Sequence, residues 1–308
     1  MTWDIVGDIH GEADALERLL KRLDYQERDG VYRHTGDRRV VFLGDFIDRG
    51  PQHLRTLEVV RRMLEQGTAL AVMGNHEFNA IGFATPDPAQ PGRWMRPHSA
   101  EKIAQHRVFL DQIGEGSALH HELVAWFKTL PLWLDLGELR IVHACWHPQE
   151  LALIQPHVDT DARLRSDAWI EALRYKTGLF NAMEIILKGV EMKLPDGVIF
   201  TDEGGHERDH IRVAWWRSAP QTARQVALVD EGTRTQIPNT PLAWESVYTG
   251  SVPVFIGHYW LEGTPEPLTK TVACVDYSVA KGGQLVAYRW DGSSLDDNNF
   301  VGVPARLP

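Results

Sequence analysis

Three short strings in the first 77 residues each stand where an apolar run ends: GDIHG at 7–11, GDFIDRG at 44–50 and GNHE at 74–77. A fourth, GH at 257–258, closes a later apolar run. The runs Trp3–Val6, Val40–Leu43 and Ala69–Met73 read as strands. Between them, Leu16, Leu19, Leu20 and Leu23, then Leu54, Leu57, Arg61 and Leu64, recur at helical spacing, and Pro51 suits a first helical turn. Strand–helix–strand–helix–strand predicts an α/β fold with parallel neighbours. Ligands in such sheets bind beyond the carboxyl ends of the strands, where all three strings fall.

Residues 83–100 hold four prolines and read as an irregular excursion. Helices are expected at 101–113 and at 118–130, where Leu119, Leu123, Trp126, Phe127 and Leu130 share a face. Strands follow at Leu132–Leu136 and Leu139–Ala144, turned at Gly137. Residues 160–188 are rich in helix formers, and 195–212 read as loop or hairpin. Pro253–Gly257 is a strand ending at His258, and Thr271–Asp276 with Gln284–Trp290 form a closing hairpin around Ala280–Gly283. A single domain over 1–308 is expected, with an inserted, mostly helical specificity region at about 150–215.

With a net charge of −10 over 308 residues, nothing suggests a basic groove for long nucleic acid, and no such partner is expected. Two cysteines, Cys145 and Cys274, make no disulfide framework and suit a reducing compartment. The start of the chain has no leader pattern, and no apolar run approaches a membrane span. A soluble cytoplasmic protein with no membrane partner is expected.

Phosphoester hydrolysis at a pair of metal ions needs hard or borderline ligands, one able to bridge, and open positions for water and phosphate oxygens. Asp8 and His10 lie two apart in an extended segment, so both can point to one side. Asp45 ends the next strand and is placed to bridge. Asn75 offers a carbonyl oxygen, and His143 and His258 arrive at later strand tips. The ions would hold phosphate oxygens and generate hydroxide from a shared water near neutral pH. Asp48 would orient His76 to protonate the leaving alkoxide, and Arg49 suits two phosphate oxygens. Singly, each of these is an ordinary turn or cap residue, but turn chemistry requires neither His10 and His76 nor Arg after Asp48. His34, His53, His106, His120, His121 and His157 read as ordinary histidines. His147 and His206 are weaker candidates for groups near the substrate.

These strings reproduce the GDxHG, GDxxDRG and GNHE signature, and the chain resembles the calcineurin-like metallophosphoesterases. The resemblance is to the branch of the PPP-type serine/threonine phosphatases and the bacterial symmetrical bis(5'-nucleosyl)-tetraphosphatases. ACVDYSVAKGGQLVAYRW at 273–290 resembles the tail of the bacterial enzymes. The resemblance implies a four-layer α-β-β-α sandwich of two mixed β-sheets. It implies Asp8, His10 and Asp45 on one metal, and Asp45, Asn75, His143 and His258 on the second. His76 with Asp48 would be the leaving-group acid pair; Arg49, Asn75 and His76 would face the phosphate. Two divalent ions are implied, Mn2+ foremost, with Fe or Zn as alternatives. A second phosphate arginine is expected between the late histidines, with Arg217 first and Arg212 behind it. One departure is His143-Ala144-Cys145-Trp146, where the family commonly has HGG or HAG. Cys145 reads as a buried small side chain.

The expected function is hydrolysis of a phosphomonoester, on a small molecule or a phosphoprotein. The alternative is a symmetrical dinucleoside tetraphosphate hydrolase, for which Trp146, Trp215, Trp216 and Tyr277 are candidate base platforms. A remote third is a metal-binding regulatory protein without catalysis.

Overall fold

A computed structural model describes residues 2–194, 197–201, 207–219, 222–239 and 241–306. The chain begins with strand β1 (Trp3–Val6), helix α1 (Ala13–Arg22), a hairpin of β2 (Tyr25–Arg28) and β3 (Val31–His34), and β4 (Arg39–Phe42). It continues through α2 (His53–Glu65), β5 (Ala69–Ala71), α3 (Asn75–Ala84), α4 (Ala100–Ile113) and α5 (Ala118–Phe127). Strands β6 (Trp133–Asp135) and β7 (Arg140–Val142) precede α6 (Pro148–Ile154), α7 (Trp169–Leu173) and α8 (Gly178–Lys188). Four short strands follow: β8 (Glu191–Lys193), β9 (Phe200–Thr201), β10 (Glu207–Arg208) and β11 (His210–Arg212). After α9 (Ala223–Val226) and α10 (Glu231–Gln236) come β12 (Val254–Ile256), β13 (Val272–Cys274), β14 (Asp276–Tyr277), β15 (Gln284–Trp290) and β16 (Phe300–Pro304).

Strand β1 lies parallel to β4, and β4 to β5, as the alternation with helices predicts. The other edge of β1 pairs antiparallel with β15, Trp3 opposite Trp290, which makes the first sheet mixed. The second sheet runs β13-β12-β7-β6, with β12 parallel to both neighbours and β6 antiparallel to β7. Strand alternation then builds the layers. Trp3, Ile5, Val41 and Leu43 meet Ile141, Phe255 and Ala273 in one apolar cluster between the sheets. Val6, Val40 and Phe42 belong instead to the cluster that gathers the helices, as do Val142, Val254 and Ile256. Two mixed sheets back to back with helices outside give the expected four layers.

Some expectations change. The stretch Thr271–Asp276 is not one arm of a hairpin: β13 belongs to the second sheet, while β14 pairs with β15 in the first. The chain crosses between sheets at Val275, which is buried like its neighbours Cys274 and Asp276. The buried face of α2 comprises Thr56, Leu57, Val59, Val60 and Met63, whereas Leu54 is exposed. The excursion at 83–100 begins one residue before α3 ends, and α5 stops at Phe127. Helices α6 to α8 pack into the main core, whereas residues 194–237 collect a small core of their own around Phe200, Val213, Val226 and Ile237. No helix among the described residues is long and apolar enough to cross a membrane.

Candidate metal centre

The tips of β1, β4, β5, β7 and β12 converge, and the backbone there adopts conformations that most side chains avoid. His10, Asp45, Asp48, Arg49 and His258 all have positive φ, between 49° and 74°. Each such residue costs of the order of 1 kcal/mol or more and persists only where its surroundings hold it. Gly44, at φ 90°, lets the two central loops touch: a Cβ on it would stand 2.2 Å from the Gly74 nitrogen. A Cβ on Gly74 would in turn stand 2.2 Å from Asp45 Oδ1.

The loops are tied by Glu77, which is fully buried. Its carboxylate accepts the N–H groups of Asp45 (2.8 Å), Phe46 (2.8 Å) and Gly74 (3.0 Å). The acid of GNHE was assigned no role from sequence, yet it fixes the backbone that carries Asp45.

Asp45 is the common member of two potential ligand groups, one with His10 and His76, the other with His143 and His258. Its Oδ2 lies 3.7 Å from His10 Nε2 and 3.4 Å from His143 Nε2. Two imidazoles are oriented by backbone carbonyls, His10 Nδ1 donating to Ile47 at 2.9 Å and His143 Nδ1 to Leu43 at 2.7 Å. Both therefore present Nε2 inward. Asn75 Oδ1 sits between the late histidines, 2.7 Å from His258 Nδ1 and 3.1 Å from His143 Nε2. Asp8 lies outside both groups, although its Oδ2 accepts the His258 N–H at 3.0 Å.

The donor set fits divalent cations. Asp8 Oδ1, His10 Nε2 and His258 Nε2 are buried with no hydrogen-bond partner, a costly arrangement unless something else engages them. Burial, then Asp276, pushes the Asp8 carboxyl well above its usual range. Burial also favours the neutral acid at Asp45, but His143 and His76 outweigh it and hold the carboxyl well below that range. At His143 burial favours the neutral ring, yet the facing Asp45 and Asp8 carry its pKa up to about 10. A cation among these groups would satisfy the same carboxylates and displace that proton.

His76 and Asp48 meet as expected, Nδ1 against Oδ2. The second carboxylate oxygen, Oδ1, accepts from His106 Nδ1 at 2.6 Å, a contact the sequence reading did not anticipate. The available signal was spacing: Ile103, His106, Leu110 and Ile113 share one face of α4, and a histidine on an apolar stripe needs a buried partner. Arg49 is exposed, with its guanidinium stacked 3.9 Å from the Trp260 ring. Arg217 is not brought to this cluster; it is exposed and does not line the cavity beside the site. Arg212 does, in a cleft of about 1000 Å³ shared with His258, Trp260 and Lys281.

The departure at 144–146 is resolved inward. The Ala144 and Cys145 N–H groups both donate to the Ile186 carbonyl, and burial raises the Cys145 thiol well above its usual range. Trp146 packs in the main core beneath the Arg140 guanidinium. Trp215 and Tyr277 are also buried, and Trp216 packs edge-on against Tyr259, so these rings are not open base platforms. His147 precedes α6 without a side-chain capping hydrogen bond and does not line the cavity, and His206 lies outside the described residues.

Residues 1–150 match the model of the calcineurin-like phosphoesterases. That match covers just under half of the chain. Among curated relatives, the asymmetrical bis(5'-nucleosyl)-tetraphosphatase PrpE of Halalkalibacterium halodurans is 42% identical over 166 residues, 52% of this chain and 63% of that protein. The corresponding protein of Oceanobacillus iheyensis is 30% identical over 144 residues, 47% of this chain and 55% of its own length. The matched region thus spans little more than half of each relative. Among solved structures, the metallophosphoesterase fold extends over nearly the whole chain. A candidate diadenosine tetraphosphatase superposes with a TM-score of 0.50 and 18% identity, covering 98% of this chain and 93% of the other. The cold-active protein-tyrosine phosphatase of a Shewanella species also gives 0.50, at 15% identity over 96% and 80% of the two chains.

Proposed function

We propose that this protein is a divalent-metal-dependent phosphoester hydrolase with a dinuclear centre. The observation that carries the reading is Asp45 Oδ2, shared between two ligand groups at a point where buried nitrogen and oxygen atoms stand unpaired. His10 and Asp8 would complete one metal position, and Asn75, His143 and His258 the other. When bound, the ions supply charge for the phosphoryl oxygens and an activated water; Mn2+ is the proposed pair. Arg49 and Arg212 bind the remaining phosphate oxygens, Arg212 taking the place first given to Arg217. His76, fixed by Asp48, donates its Nε2 proton to the departing oxygen. Protein loaded with Mn2+ is expected to hydrolyse p-nitrophenyl phosphate and to lose turnover when the metal is chelated. Asp45→Asn should deplete both ions in elemental analysis; depletion of one alone would end the bridging assignment.

Phosphomonoesters are the simplest substrates for such a site. The second reading, hydrolysis of a dinucleoside polyphosphate, has a specific observation in its favour. A cleft of about 840 Å³ opens beside Phe78 and Asn79, within a turn of His76 on α3. Its lining holds five basic side chains against two carboxylates in a chain that is acidic overall. Both carboxylates are already engaged, Asp87 with Arg174 at 3.5 Å and Glu184 with Lys188. Arg93, Arg96 and Lys102 have no ion pair among the described residues; Arg96 reaches only the neutral Asn79 Oδ1, at 2.9 Å. An anionic leaving group would enter on this side, next to its proton donor, with the exposed Tyr175 and Trp94 rings at the rim. The curated relatives bear the name of tetraphosphatases, which agrees with this reading. Arg96→Ala should raise KM for diadenosine tetraphosphate by about tenfold and leave p-nitrophenyl phosphate nearly unchanged. Equal effects on both would return the phosphomonoester to first place. Product analysis distinguishes symmetrical cleavage, two diphosphates, from asymmetrical cleavage, a triphosphate and a monophosphate.

A further inference from the structure

We infer that His106 is a positioning residue for the leaving-group acid, acting on His76 through Asp48. The inference rests on the reading of His76 as that acid.

Asp48 is a carboxylate with both oxygens engaged by imidazoles. Oδ2 faces His76 Nδ1, and Oδ1 faces His106 Nδ1 at 2.6 Å. The two rings and the carboxylate come from separate elements: His76 from α3, Asp48 from the loop after β4, and His106 from the middle of α4. His106 is buried between Phe83, 5.3 Å away, and Phe109, 4.9 Å away. Its Nε2 has no partner in this apolar wall, so Nδ1 is the nitrogen through which the ring holds Asp48.

A carboxylate held at one oxygen can rotate about its Cβ–Cγ bond, whereas one held at both cannot, so the His76 ring inherits a fixed direction. In the step itself a water oxygen bonds to phosphorus as the P–O bond to the leaving group breaks, the electron pair of the broken bond stays on the leaving oxygen, and that oxygen takes the His76 Nε2 proton. Asp48 and His106 exchange no proton.

The need for an acid depends on the leaving group, and this separates positioning from mere packing. The experiment measures kcat and KM on a series of aryl phosphates, from dinitrophenyl to phenyl, for Mn2+-loaded wild type, His76→Asn, His106→Phe and His106→Asn, with metal content checked. His106→Phe is expected to lose about 10–100-fold in kcat on phenyl phosphate and only a few-fold on dinitrophenyl phosphate, with KM and metal retained. His106→Asn, whose amide N–H replaces Nδ1–H, should recover most of the loss. If His106→Phe does not fold, His106→Gln, whose amide stands in for Nε2 instead, serves as the variant without the donor. A loss uniform across the series, loss of metal, or no loss would overturn the inference while leaving the acid reading intact. If His76→Asn itself shows no dependence on the leaving group, the acid reading falls and the inference with it.

Discussion

Glu77 accepts three backbone N–H groups at the crossing of the two central loops, and all three donors are shielded from water. Removing the carboxylate leaves them unpaired, and each unpaired buried donor costs about 1–3 kcal/mol. Glu77→Ala is therefore expected to lower unfolding stability by about 3 kcal/mol or more in urea titration, even though Glu77 lies in neither potential ligand group. A loss under 1 kcal/mol would show that water enters the crossing. The residues proposed for chemical roles were legible because their types are poorly explained by turn formation: His10, Asp45, Asp48 and His76 lie together in the structure. Glu77 and His106 were not, since their work is to hold other groups. Nothing in a lone glutamate after a histidine, or a histidine inside a helix, announces its partner. The misplaced Arg217 has a related cause. Arg212 and Arg217 bracket a run of apolar residues, and only the pairing of β11 with β8 and the turn at 214–217 decide which one lines the cavity.

Where elements meet, the approach distance between the loops after β4 and β5 sets the geometry. Gly44 combines a left-handed backbone with a Cβ position already filled by the Gly74 nitrogen. Gly44→Ala must push the loops apart, and should cost about 2 kcal/mol or more from backbone strain alone, together with loss of metal affinity. Retained Mn2+ stoichiometry in that variant would show the loops to be more compliant than their packing implies. The strands leading into these loops were predictable because long apolar stretches preceded them. The Tyr25–His34 hairpin had a signal that was passed over, Asp29-Gly30 between two strand-forming runs. The exchange of sheets at Val275 had none. Both sheets bury residues on both faces there, so the periodicity of the sequence is the same whichever sheet receives the strand.

The candidate centre joins the two sheets of the molecule. Asp8, His10, Asp45 and Asn75 follow strands of the first sheet, whereas His143 and His258 follow β7 and β12 of the second. Bound ions would therefore cross-link the sandwich, and Mn2+ should raise the unfolding temperature in proportion to the logarithm of its concentration. Linkage gives about 2.7 kcal/mol at a hundred times Kd. Chelation should reverse the rise, and Asp45→Asn should nearly abolish it; a Tm indifferent to metal would mean that no ion binds the folded protein in preference to the unfolded chain. The pairing of Trp3 with Trp290 bears on how the molecule is made. The strand that presents Asp8 and His10 is synthesised long before β15, and one of its edges stays open until that partner follows. Contacts that distant in sequence form late. Metal loading should thus follow the synthesis of β15, and any ribosome stalled short of it would display an unpaired strand to its neighbours.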